Sequence, residues 1–230
     1  MIIEVIAIRT EDIVMAAAGG ADRIELVTSI AEGGLTPSAG LIEAAVKASS
    51  LPVNVMVRPH SQSFCYSESD MSIMLRDIEI IRNAGATGIV VGALNAEGEV
   101  DTGQLERFIH AADGLDITFH RAFDEVRDQH VALRVLTQYP AISRILTSGG
   151  TLPASQATKQ LRELQVASLP LGINIMGGYG LNGDNISNFV KETRVPEVHF
   201  GSGVRHNGSY NEAIDVGRIA RIRTILQEEL

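Results

Sequence analysis

Eight short runs rich in Ile, Val and other strand formers recur along the chain, each followed by a longer segment that is amphipathic or opens on helix-capping residues. Such alternation signals parallel βα units, because separate α and β halves would group like elements together. The runs are IIEVIA from Ile2, RIEL from Arg23, VNVMVR from Val53, GIVVG from Gly88, ITFH from Ile117, RILT from Arg144, LGINIM from Leu171 and EVHF from Glu197. Over 230 residues their mean spacing is about 29, which fits an α/β fold built as a single (β/α)8 TIM barrel with few insertions. An open doubly wound sheet shares the alternation, but eight evenly spaced strands favour closure. No composition shift or Pro/Gly/Ser-rich stretch divides the chain, so one domain over 1–230 is expected.

Helix boundaries are marked by specific chemistry. Thr36 before Pro37 reads as an N-cap with proline at the first helical position, where the missing N–H costs nothing. Ser67 and Asp70 form a capping-box pattern ahead of Met71, Met74, Ile78 and Ile81, and Gly85 ends that helix. Asp101 and Asp128 read as further N-caps, and Pro153 stands where a first helical turn should begin. The segment from about Ala213 to Leu230 places Ile219, Ile222 and Leu226 on one face and should close the outer ring.

Strand side chains alternate between faces, so if Ile24 and Leu26 face the helices, Arg23 and Glu25 point into the barrel. The same parity turns Glu4, Asn54, Met56, Arg58, Thr118, His120, Asn174, Met176, Glu197 and His199 inward. A barrel interior is ordinarily packed with aliphatic residues, and an unpaired buried charge is costly, so these groups either pair or line a site. Structural pairs Arg58–Glu25 and Arg23–Glu197 are one expectation. The other places Glu25, Arg58, His120 and His199, at the C-terminal strand ends where this fold carries its active sites, in acid/base chemistry or in binding a metal or an anion.

Loops at the same end add candidates. GGYG (177–180), GSG (201–203) and SGG (148–150) allow close backbone approach to an anion, with Ser148, Gly149, Gly177, Gly178, Gly201 and Ser202 as possible contacts; tight βα turns use glycine as well. RPHSQSFCYS (58–67) brings Phe64 and Tyr66 to where they can cover the mouth. Within it, Cys65 is either inert or a metal ligand. In TFHRAFD (118–124), His120 and Arg121 end a strand, and Asp124 either orients a neighbouring side chain or caps the next helix. His110, His130 and His206 lack ligand spacing and read as surface residues.

A formal charge of −9 disfavours nucleic acid and anionic membranes as partners. Nothing approaches the ~18–20 apolar residues of a membrane span. The N-terminus carries Glu4 within its apolar run, unlike a secretory signal. One cysteine fits a reducing compartment, and the cytoplasm is expected.

GADRIEL (20–26), EGGLTPS (32–38), the RP…FCYS loop (58–67), TFHRAFD (118–124) and RILTSGG (144–150), in this order and spread over nearly the whole chain, resemble the signature segments of the CutC family. The resemblance implies a TIM barrel, a cytoplasmic location, homo-oligomers in at least some members, and copper binding or copper homeostasis. Members proposed to bind copper carry cysteines where this chain has Ile6 and Val27, and Cu(I) prefers soft sulfur ligands, so the inherited copper site is missing two donors. Cys65 with Met56 or Met176 is the remaining sulfur set. His60 stands where many relatives have arginine.

Three functions follow. The first is copper homeostasis, with Cys65 as ligand. The second is an enzyme acting on a small phosphorylated or carboxylated metabolite, with Arg58 and the glycine loops holding the anion and Glu25 and His120 moving protons. In the third, Glu25, His120 and His199 hold a borderline or hard divalent metal.

Overall fold

In the computed structural model, which describes residues 1–229, eight parallel strands close into a barrel in sequence order, with the eighth pairing back onto the first. They are β1 Ile2–Ala7, β2 Arg23–Leu26, β3 Val53–Met56, β4 Gly88–Val91, β5 Asp116–Phe119, β6 Ile142–Thr147, β7 Asn174–Gly177 and β8 Glu197–Phe200. The helices that follow them are α1 Thr10–Gly19, α2 Ala39–Ala48, α3 Glu68–Asn83, α4 Thr102–Ala112, α5 Gln129–Leu136, α6 Thr158–Ser168, α7 Ile186–Thr193 and α8 Val216–Glu228. The expected (β/α)8 barrel is therefore present. The expected end of the last helix at Leu230 lies outside the described residues.

The main core lies between barrel and helices. Ile24 and Leu26 of β2, Val53 and Val55 of β3 and Ile89 and Val91 of β4 face outward onto helical residues such as Ile42, Met71, Met74, Ile78 and Ile81, all buried in one cluster. Each such aliphatic side chain removed from water contributes on the order of 1.5–3 kcal/mol. The capping box of α3 is formed in both directions, with Ser67 accepting from the Asp70 backbone and Asp70 accepting from the Ser67 backbone. Asp101 and Asp128 cap α4 and α5 as expected.

Several boundaries differ from expectation. The N-cap of α2 is Ser38, whose hydroxyl accepts from the Leu41 N–H. Thr36 instead exchanges hydrogen bonds with the Arg58 backbone, tying the β2–α2 loop to the end of β3. Leu171, expected to open β7, instead ends a 3-10 turn, Leu169–Leu171, that contains Pro170, and β7 begins at Asn174. Pro153 precedes a 3-10 turn, Ala154–Gln156, and α6 itself starts at Thr158.

Candidate functional site

Strand register assembles the lower interior into an ionic layer. Glu4 on β1 is level with Arg23 on β2 and with His199 on β8. The Arg23 guanidinium bonds both Glu4 and Glu197 and lies 3.2 Å from the Met176 sulfur. Arg144 on β6 reaches Glu197 at 3.1 Å, Thr118 at 2.9 Å and Asp116, while Asn174 donates to Glu197 at 2.8 Å. The expected pair Arg23–Glu197 is thus present, extended by Glu4 and Arg144.

The expected pair Arg58–Glu25 is absent. Arg58 lies two residues beyond the end of β3. Its Nη1 donates to the carbonyls of Glu32 at 3.1 Å and Gly34 at 3.5 Å, and its guanidinium stacks on the Phe64 ring at 4.5 Å. Glu25 faces His199 instead, with Oε2 3.7 Å from Nε2, and its Oε1 is buried without a hydrogen-bond partner.

Above this layer, a cavity of about 620 Å³ opens at the C-terminal strand ends. It is lined by Glu25, Arg58, His120, Arg121, Asp124 and His199, so all six candidate side chains converge on one space. Phe64 closes part of the wall, as expected, whereas Tyr66 of the same loop is buried in the main core and does not line it; Tyr210 from the β8–α8 connection does.

Three buried groups at the base of the cavity are electrically linked. His199 Nδ1 lies 2.8 Å from Glu4 Oε1, so Glu4 holds the ring in the tautomer that turns Nε2 toward Glu25. Burial would raise Glu4, but Arg23 and His199 outweigh it and hold the carboxyl down at about 2. Burial dominates at Glu25, helped by Glu4 and opposed by His199, and pushes it up to about 7. Burial pulls His199 down, yet Glu25 and Glu4 together raise it. Glu4, Glu25 and His199 each offer a ligand atom within 4.8 Å of the others, a convergence of donors suited to a cation or to a shared proton.

His120 is a different kind of group. Its Nδ1 accepts from the Ala122 N–H at 3.2 Å, so the neutral ring carries its proton on Nε2, which is buried and unpartnered. Burial, then the Arg58 charge, lowers it to about 3. His120 therefore stays neutral and donates. It does not join the Glu–His cluster, which corrects the expected metal set Glu25, His120 and His199: the third member of that cluster is Glu4, which holds the His199 ring.

Asp124 orients rather than caps. It accepts from Arg121 Nε at 2.7 Å and from the backbone N–H groups of Ser148 at 3.1 Å and Gly150 at 3.2 Å. Ser148 is consumed in this cluster, and Arg121 stacks on Tyr179 at 4.3 Å. Tyr179 holds φ +82°, a left-handed backbone rare for a bulky residue and common where loops are shaped for a ligand.

The glycine candidates divide. Gly201 and Ser202 line the cavity, with Gly150 and Gly180 alongside. Gly149, Gly177 and Gly178 serve packing: a Cβ on Gly177 would stand 2.5 Å from Phe189, one on Gly178 2.7 Å from Leu146, and one on Gly149 3.1 Å from Ala157. Cys65 is exposed, with its thiol 3.3 Å from the Asn95 carbonyl and no place on the cavity wall. Ile6 and Val27 join Met56 and Val90 in a small apolar cluster that is separate from the main core. The two expected thiol positions are thus filled with packed hydrocarbon. Arg144 and Tyr179 are supporting residues that sequence reasoning passed over, and Glu4, placed inside the barrel by parity, had no partner assigned to it. Inward parity was the signal available for Arg144.

No helix among the described residues is long and apolar enough to cross a membrane. Residues 1–204 match the family model described as the CutC family. The family protein CutC of Glaesserella parasuis serovar 5 is 36% identical over 230 residues, 100% of this chain and 92% of the relative. That of Pasteurella multocida strain Pm70 is 40% identical over 206 residues, 89% of this chain and 84% of the relative. Among solved structures, CutC of Streptococcus agalactiae, named for copper homeostasis, superposes with a TM-score of 0.82 at 29% identity, covering 87% of this chain and 98% of its own.

Proposed function

The chain belongs to the CutC family, and from that premise we propose that it serves copper homeostasis, with copper as a cargo taken up at the barrel mouth. The ligand set is His199 and Glu25, with Glu4 behind the imidazole. One observation carries this reading: His199 Nε2 and Glu25 Oε2 face each other at 3.7 Å, a gap that a cation with bonds of ~2.0–2.2 Å to each can bridge. The carboxylate behind the histidine, Glu4, is the usual partner that fixes a metal-binding ring.

The donor chemistry selects the oxidation state. Imidazole and carboxylate suit Cu(II) and other borderline divalent ions, whereas Cu(I) calls for sulfur. Sulfur is sparse there: Cys65 is exposed outside the cavity, Met176 sits against Arg23, Ile6 and Val27 are aliphatic, and the Met56 thioether alone stands on the wall, too little for a Cu(I) site. Two protein donors leave coordination positions open, the condition for a site that exchanges its ion. A cytoplasmic location accords with the single thiol.

Titration with Cu(II), followed by electron paramagnetic resonance, tests the reading. Nitrogen hyperfine structure from one imidazole is expected in the wild type, lost in His199→Ala and weakened in Glu25→Gln, with Cys65→Ser unchanged. Tight Cu(I) binding abolished by Cys65→Ser would overturn it.

A further inference from the structure

Four arginines of the described residues are buried: Arg23, Arg58, Arg144 and Arg205. Three of them are neutralised. Arg23 pairs with Glu4 and Glu197, Arg144 with Asp116 and Glu197, and Arg205 with Asp12 at 2.6 Å. Arg58, only 8% exposed, has backbone carbonyls and an aromatic face in place of a carboxylate, and its Nε is buried without a partner. A buried cation lacking a counter-charge costs several kcal/mol, which is tolerated where an external anion completes the pair.

His120 stands beside it. Its ring packs on Phe64 at 4.8 Å, the same ring that carries the Arg58 guanidinium, and its unpartnered Nε2–H is a second free donor. Burial depresses the imidazole most, and the Arg58 and Arg121 charges add to it. Two arginines and a neutral N–H donor therefore line the same cavity, and two of the three, Arg58 at Nε and His120 at Nε2, keep an N–H without an acceptor.

We propose that the part of the cavity lined by Arg58 and His120 binds a small organic oxyanion, a carboxylate or a phosphate ester, with its anionic group on Arg58 and an adjacent carbonyl or hydroxyl oxygen accepting from His120 Nε2. The bidentate fork of arginine suits either anion, and the histidine adds selectivity for a ligand that offers a second acceptor. Arg121, braced by Asp124 and stacked on Tyr179, flanks the ligand from the opposite loops. The site shares the cavity with the proposed cation ligands but does not depend on a metal.

Calorimetric titration of the wild type in chelator-treated buffer at matched ionic strength tests this, with 2-oxoglutarate and glutarate as the carboxylate arm, ribose 5-phosphate and inorganic phosphate as the phosphate arm, and ribose as the neutral control. At least one anionic arm is expected to bind and ribose is not; the arm that binds identifies the source of the oxyanion. Arg58→Gln should weaken binding by about tenfold or more, the loss of a charge-assisted contact. His120→Phe should erase a preference for 2-oxoglutarate over glutarate, or for ribose 5-phosphate over phosphate, while the simpler anion still binds. Should Arg58→Gln fail to fold, Arg58→Lys, which keeps the charge without the fork, is expected to bind less tightly than the wild type. Absence of anion binding by the wild type, or an unchanged affinity in a folded Arg58 variant, overturns the proposal.

Discussion

The barrel interior holds two populations of buried charge that differ in how they are satisfied. In the lower layer Glu4, Arg23, Arg144 and Glu197 bond one another, and the neutral Asn54 is the group there without a partner. At the mouth, Arg58, His120 and Glu25 each keep a buried polar atom unbonded beside a cavity. Both sets are equally removed from water, so burial does not separate structure from function here. Completeness of pairing does, because an ionic network that serves the fold saturates itself whereas a binding site leaves valences for its ligand.

The largest effect should come from breaking the lower layer. Arg23→Ala leaves Glu4 and Glu197 buried with a reduced set of partners, and loss of one member of such a network typically costs ~3–5 kcal/mol. Urea unfolding is the measurement, and a loss below ~1 kcal/mol would mean that the layer does not carry the stability assigned to it, since that is the range of exposed pairs.

Much of this layout is legible in the sequence, and its gaps have a physical pattern. The period of two put Glu4, Arg23, Glu25, Glu197 and His199 inside the barrel, and depth along each strand separated Arg23–Glu197 from the mouth. Which inward groups meet depends on register between strands, which side-chain alternation does not encode. Glu4 therefore passed as a buried charge, although its level with His199 makes it the residue that orients the imidazole. Arg58 was paired with Glu25 on parity, but beyond the end of β3 the backbone no longer follows the pleat and the side chain turns to Glu32 and Gly34. Glycine misled in another way. At 177 and 178 its small size answers to Phe189 and Leu146, contacts set by tertiary packing.

The next contrast is in pH. Glu4 is depressed to about 2, so its stabilising contribution is complete above its unfolded value of 4.5 and is lost as pH falls toward 2. His120, also depressed, to about 3, contributes no penalty above 6.5; below that the unfolded chain takes up a proton that the folded one refuses, and stability falls until pH 3. Glu25 runs the other way. Raised to about 7, it stabilises below 4.5 and its contribution is lost as pH rises through 7. Unfolding free energies measured from pH 3 to 8 should therefore show His120→Asn reducing the rise in stability between pH 3 and 4.5; between 4.5 and 6.5, where the two contributions oppose each other, His120→Asn should turn the slope downward and Glu25→Gln should turn it upward. A wild-type slope unchanged in both variants would place the titrating groups outside the mouth.

Smaller still is the expected response to Arg58→Met. An unpaired buried cation contributes little to the fold, so replacement by a side chain of similar length should leave stability within ~1 kcal/mol or raise it. The loss of charge and of the stack on Phe64 then appears in ligand binding rather than in unfolding. A destabilisation as large as that of Arg23→Ala would make Arg58 a structural member of the interior and dissolve the contrast between the two layers.

Cys65→Ser marks the lower limit. The thiol is exposed, makes one contact at 3.3 Å to the Asn95 carbonyl that a serine hydroxyl can replace, and lies off the cavity wall. Its stability change should stay within ~0.5 kcal/mol, the range of surface substitutions. Copper titrated into this variant should behave as in the wild type, since neither His199 nor Glu25 is touched. A fall in copper affinity here would move the metal from the barrel mouth to the rim loop, and the unsatisfied polar atoms of the mouth would then belong to the anion alone.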